Sequence, residues 1–156
     1  MTSKMNKFND VLEHAEKQCK ENSSRLTPKR KKILQELLKS KKALSAYEIA
    51  DLFQKETKES IPTMSVYRIL DFLEDENLVH KLNLANKYIA CAHISCNHSH
   101  SIPQFLVCRK CNKVSEISID IETMRKIEKK VEDENFFLVK PQLEMHCICK
   151  VCNQKK

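Results

Sequence analysis

No glycine occurs anywhere in the 156 residues. That absence removes the glycine-rich phosphate loop and the dinucleotide-binding fingerprint from consideration, because both need backbone positions that a side chain would obstruct. Turns must be made from Asn, Asp, Ser and Pro instead. Long hydrophobic runs are missing as well, and no stretch approaches the roughly 20 apolar residues of a membrane span. With hydrophobic residues at 41% and charged residues at 31%, a soluble globular chain is expected. The leading segment Met1-Thr2-Ser3-Lys4-Met5-Asn6-Lys7 has no apolar signal-peptide region, which predicts a cytoplasmic protein kept in reducing conditions.

Cysteine, by contrast, is abundant, and in a reducing compartment paired cysteines indicate metal. Cys108-Arg109-Lys110-Cys111 and Cys149-Lys150-Val151-Cys152 form two C-x2-C pairs. This spacing lets four thiolates converge at roughly 2.3 Å from one tetrahedral Zn2+. Closing such a site ties the ends of a small domain together and makes metal binding part of its folding free energy. The length allows one ordinary domain or two small ones, and a small one needs that staple. The net charge of +7 suits a polyanionic partner, its excess lying in Lys29-Arg30-Lys31-Lys32 and Lys39-Ser40-Lys41-Lys42.

Periodicity organises the first half. Phe8, Val11, Leu12 and Ala15 predict a short helix from Phe8 to about Glu21. After Leu26, Thr27 can cap a second helix with Pro28 in its first turn; Ile33, Leu34, Leu37 and Leu38 mark its buried stripe, and basic residues at its opening can contact phosphate. Ser45-Ala46-Tyr47-Glu48 is a capping box for a third helix, stapled by Leu44 and Ile49. Thr63 can cap a fourth, running to about Glu76 with Val66, Ile69, Leu70 and Leu73 inward. Strands at Val79 to Leu82 and Lys87 to Cys91 then form a hairpin.

Helices followed by a hairpin predict a winged helix-turn-helix whose last helix enters the major groove. Arg68 is placed to read a guanine edge, with Tyr67 and Ser65 offering phosphate or thymine-methyl contacts. The second half reads as a hinge at 92–103, strands at Gln104 to Cys108 and Val114 to Ile119, a helix at Ile121 to Asn135 with Met124, Ile127 and Val131 inward, and a last strand at Phe137 to Cys147. So small a sheet leaves an edge or face that a second copy would cover. The expected class is α+β: residues 1–91 a winged-helix DNA-binding domain, and residues 104–156 a small α/β dimerisation domain with a four-cysteine zinc site.

A second cluster of metal-ligating types lies around the hinge: His80, Cys91, His98 and His100, with Glu116 after the first knuckle. Soft thiolate plus imidazole prefers zinc over harder iron or manganese ions, so a second, exchangeable metal site is expected there. A nucleobase deaminase would need a Glu one residue after a ligand His and a Pro before C-x2-C. Ser follows both His98 and His100, and Val107 precedes Cys108, so no enzyme is expected.

Arg25-Leu26-Thr27-Pro28-Lys29-Arg30, Ser45-Ala46-Tyr47-Glu48, Ser65-Val66-Tyr67-Arg68, Leu78-Val79-His80 and the paired knuckles occur in the order found in the ferric uptake regulator family, which the chain resembles from about Arg25 to Cys152. Within that family it is most similar to the zinc uptake regulator branch. The resemblance implies a homodimeric repressor that, when loaded with zinc, binds an AT-rich palindromic operator and silences metal-uptake genes. It implies structural zinc at Cys108, Cys111, Cys149 and Cys152, and regulatory zinc at His80, Cys91, His98 and His100 with Glu116. Arg25, Thr27 and Arg30 would join Ser65, Tyr67 and Arg68 at the DNA. Ala43 and Cys91 stand where iron-sensing members carry His and Glu, and Pro141 replaces a late His ligand of several relatives.

Overall fold

The apolar stripe beginning at Phe8 lies on α1, which spans Thr2–Glu21 and starts earlier than that stripe predicts. No proline or glycine separates Thr2 from Phe8, so nothing stops the helix there. The computed structural model describes residues 2–40, 42–95 and 103–154, with side chains from residue 8 onward. It divides into two units, Met1–Asn97 and His98–Lys156.

In the first unit, α2 (Pro28–Lys39), α3 (Ala46–Thr57) and α4 (Thr63–Asp75) follow α1. Two of the three expected caps differ in detail. Thr27 occupies the N-cap of α2, but its side chain makes no capping bond, and Pro28 opens the helix. Thr63 is the first helical residue of α4 and Pro62 its cap. Ser45 caps α3 as predicted, with Glu48 N–H donating to its hydroxyl at 3.2 Å and Ser45 N–H donating to the Glu48 carboxylate at 2.7 Å.

Strands β1 (Val79–Leu82) and β2 (Lys87–Ala90) pair antiparallel, His80 opposite Ile89. Leu44 adds a short third rung through reciprocal backbone bonds with Tyr88, at 2.9 and 2.7 Å. Leu12 and Cys19 of α1, Leu34 of α2, Phe53 of α3, Leu70 of α4 and Tyr88 of the hairpin share one core. Each fully buried side chain of this size contributes about 2 kcal/mol.

Both lysine runs prove to be partly internal. Lys31 pairs with Glu16 of α1; Lys32 reaches Glu36 at 3.3 Å and Glu56 at 3.4 Å; and Lys39 reaches the same two carboxylates at 3.0 and 3.7 Å. Glu36 is buried, so α2 and α3 are joined by a four-charge network rather than by solvated basic residues. Exposed positive charge at the opening of α2 comes from Arg25 and Lys29.

The second unit holds β3 (Pro103–Cys108), β4 (Val114–Ser118), α5 (Ile121–Asp133), β5 (Glu144–Cys147) and α6 (Lys150–Gln154). Sheet order is β4-β3-β5, with β4 antiparallel and β5 parallel to the central strand. The last strand is shorter than the predicted span from Phe137, because Gln104 captures the backbone before it. That side chain is fully buried; its amide donates to the Pro141 carbonyl at 3.0 Å and its oxygen accepts the Leu143 N–H. On α5, Met124 is buried, while Ile127 and Val131 are only half-buried. Among the described residues no helix is long and apolar enough to cross a membrane.

Gln104→Leu removes both partners from the 141–143 segment that feeds β5. A loss of about 2 kcal/mol is expected, since the carbonyl and N–H would stay shielded without compensation. Urea unfolding of the metal-loaded protein should show a lower midpoint at constant slope; an unchanged midpoint would mean the amide is dispensable.

Candidate functional site

Parallel pairing of β3 with β5 places Cys108 opposite Cys147, so the turns that leave these two strands start side by side. The first turn closes through Asn112 N–H to the Cys108 carbonyl and Cys108 N–H to the Lys113 carbonyl, both 2.9 Å. Asn112 takes a left-handed φ of 56°, a conformation Asn tolerates better than most residues with a side chain. The second turn runs into α6, which carries Cys152. Arg109 N–H to the Cys147 carbonyl and Lys110 Nζ to the Cys152 carbonyl hold the two turns together, at 2.9 and 3.3 Å.

The result is four sulfurs, from Cys108, Cys111, Cys149 and Cys152, all within 4.8 Å of one another. Tetrahedral coordination with 2.3 Å metal–sulfur bonds sets sulfurs about 3.8 Å apart. Cys111 Sγ and Cys149 Sγ are separated by 3.8 Å. Cys149 N–H also donates to Cys108 Sγ at 3.3 Å, the kind of bond that stabilises a thiolate ligand. Cys147 stands outside this group, and none of the described cysteines is in a disulfide.

Electrostatics agree with a cation. Backbone N–H groups of Cys149 and then Cys111 hold the Cys108 thiol down at about 6, so it ionises first. Cys149 is lowered too, chiefly by the Cys152 N–H. Sharing space with Cys149 and then Cys111 pushes Cys152 up to about 12. Four sulfurs at these distances can all be ionised near neutrality only around a positive ion. Binding therefore displaces the Cys152 proton, and affinity must rise with pH, because a proton competes for that ligand throughout the range below about 12. A competition titration against a chromophoric chelator should give tighter binding at pH 8 than at pH 6.5; a flat profile would contradict this reading.

Wing donors occupy the first unit. His80 lies on β1 opposite Ile89, and Cys91, just past β2, donates its N–H to the Leu78 carbonyl at 2.9 Å. Residues two apart on a strand share a face, so His80 and Cys91 are diagonal neighbours on one side of the hairpin. The His80 Nε2 atom and the Cys91 side chain are both shielded from solvent. Glu116 is half-buried on β4, opposite Phe105. His98 and His100 lie outside the described residues, as does Cys96.

Of the residues expected at DNA, Arg25 and Arg68 are exposed, Thr27 and Ser65 half-buried, and Tyr67 packs against the core. Arg30 is occupied internally: its guanidinium stacks 3.6 Å from the centre of the Phe72 ring and donates to the Arg25 carbonyl at 2.7 Å. It thereby joins α2 to α4 and shapes the segment that presents Arg25. Helical spacing could have revealed one exposed residue that the motifs did not, Met64, which lies four positions before Arg68.

The ferric uptake regulator family model matches residues 21–146. The zinc uptake regulation protein of Escherichia coli (strain K12) is 32% identical over 145 residues, covering 92% of this chain and 81% of that protein. The ferric uptake regulation protein of Bacillus subtilis (strain 168) is 29% identical over 153 residues, with 93% and 96% covered. The structure of a zinc uptake regulator complexed with zinc and DNA superposes with a TM-score of 0.81 at 27% identity, covering 94% of this chain and 95% of that one. Winged-helix unit, paired cysteine turns and sequence likeness over most of the length lead to one assignment: the chain belongs to the ferric uptake regulator family.

Proposed function

We propose that this protein is a zinc-responsive transcriptional repressor of metal-uptake genes, a regulator and not an enzyme, that binds a palindromic operator as a zinc-loaded homodimer. Residues 1–91 act as the DNA-binding domain, 92–103 as the hinge and 104–156 as the dimerisation domain. The observation that carries the choice of metal is the placement of a thiol and an imidazole, Cys91 and His80, on one face of the wing hairpin. A sulfur donor in that position favours zinc over iron and manganese.

Cys108, Cys111, Cys149 and Cys152 would hold a structural ion, which when bound cross-links the two turns of the second unit. His80, Cys91, His98, His100 and Glu116 are assigned to the ion whose level is sensed. Whatever binds there must favour the operator-competent conformation over the other, and by linkage operator DNA tightens metal binding by the same factor. Arg25, Thr27, Ser65, Tyr67 and Arg68 are assigned to the DNA contact, with Arg30 supporting Arg25 from behind.

The test is operator binding by the purified dimer in buffered zinc, manganese or ferrous iron, with Cys91→Ser and His80→Ala alongside. Zinc should tighten wild-type binding by about 100-fold, within the usual range of allosteric coupling, and either substitution should abolish the response. The likeness to a ferric uptake regulation protein supports the alternative of an iron, manganese or peroxide sensor. Equal activation by iron, undiminished in Cys91→Ser, would establish that alternative.

A further inference from the structure

Helix α4 buries Val66, Leu70 and Leu73 and turns Met64, Arg68, Asp71 and Asp75 outward. Those four follow i, i+4, i+7 and i+11 spacing and so form a single stripe. Charge divides it. Asp71, Glu74 and Asp75 crowd the last turns, where carboxylates repel phosphate, while the N-terminal turns carry the positive end of the helix dipole and Arg68. Only the first two turns can therefore approach a DNA duplex closely. Met64 sits there with 66% of its surface exposed, although its side chain is as apolar as those buried on the opposite side.

From this juxtaposition we propose that Met64 is a specificity-determining residue that packs against the C5-methyl group of a thymine in the major groove. The inference rests on the DNA-binding reading given above. The thymine methyl is the apolar feature that a base pair presents in that groove, and apolar side chains are its usual partners. Met64 and Arg68 stand about 6 Å apart along the helix axis. At about 3.4 Å per base step, the methyl lies roughly two steps from the base that Arg68 contacts. An unbranched thioether adapts to such a target more readily than a branched side chain would. The polyanionic duplex also suits the charge of the protein, +7 overall.

A duplex enriched from a random pool by the zinc-loaded full-length protein provides the probe. Each thymine in turn is replaced by deoxyuridine, which removes only the methyl group. Wild type should lose about fourfold in affinity at one thymine per half-site, the effect of burying one methyl-sized group. Met64→Ala should bind thymine and deoxyuridine duplexes equally, with wild-type affinity for the latter, and Met64→Leu should restore the preference. Retained affinity for the deoxyuridine duplex shows that the variant is folded. The proposal is overturned if no thymine is sensitive, or if Met64→Ala keeps the sensitivity. Failure of the pool to enrich any sequence would instead overturn the DNA-binding reading, and this inference with it.

Discussion

Replacing Cys111 with serine will unfold the second unit and leave the first one folded. Among the described residues of the second unit, the buried apolar side chains are Phe105, Val107, Cys108, Val114 and Met124, whereas the core of the first draws on all four of its helices and the hairpin. So few buried groups fall short of the roughly 1.5 kcal/mol of conformational entropy lost per ordered residue. An ion held by four cysteines supplies the difference, with apparent binding free energies of about 10–16 kcal/mol at such sites. Losing one thiolate forfeits most of that.

Hydrogen exchange should show fast amides on β3, β4 and β5 in the variant and undiminished protection on α2 to α4. Strong chelation of the wild type should reproduce the pattern, and the metal content of the variant should fall by about one ion per chain. Protected strands in a metal-free Cys111→Ser protein would remove the structural role assigned to the site.

Phe137→Asp is expected to dissociate the dimer, with a rise of at least 100-fold in its dissociation constant. Large apolar side chains are exposed close together in the segment that follows α5: Phe136, Phe137 and Val139 are 69% to 95% exposed in the single chain. Three exposed large apolar side chains within four residues mark an interaction surface. A phenylalanine that gives up about 150 Å2 to a partner contributes up to roughly 4 kcal/mol, and an isologous interface counts it twice. Sedimentation equilibrium measures the change directly. On the proposed function, in which two reading heads bind a palindromic operator, operator affinity should collapse in parallel while the helical content of the first unit is unchanged. A wild-type dissociation constant in Phe137→Asp would mean that dimers form elsewhere.

Helices were readable in the first unit because amphipathic stripes such as Val66, Leu70 and Leu73 repeat at helical spacing and because the Ser45 box encodes its own boundary. The four-sulfur cluster was equally legible, since C-x2-C spacing is a local geometric requirement. Other features depended on distant partners. Gln104 was invisible as a clamp, because the groups it binds, at Pro141 and Leu143, lie far along the chain. The parallel β3–β5 pair leaves no mark on periodicity, and α6 is too short to show a repeat. The ion pairs within the basic runs were hidden for a related reason: the carboxylates that neutralise Lys31, Lys32 and Lys39 come in part from other helices. The stacking of Arg30, a residue expected at the DNA, on Phe72 of another helix was equally unreadable.

Among the described residues, six with side chains hold left-handed backbone angles, Ser23, Lys58, Asn77, Asn86, Asn112 and Asn135, and asparagine accounts for most of them. An average chain of this length would carry roughly eleven glycines. Their complete absence means that every residue restricts its own backbone before folding begins, so the denatured ensemble is smaller and less entropy is surrendered on ordering. Exchanging Asn112 for glycine would relax the turn and at the same time loosen the unfolded chain, two effects of opposite sign that nearly cancel.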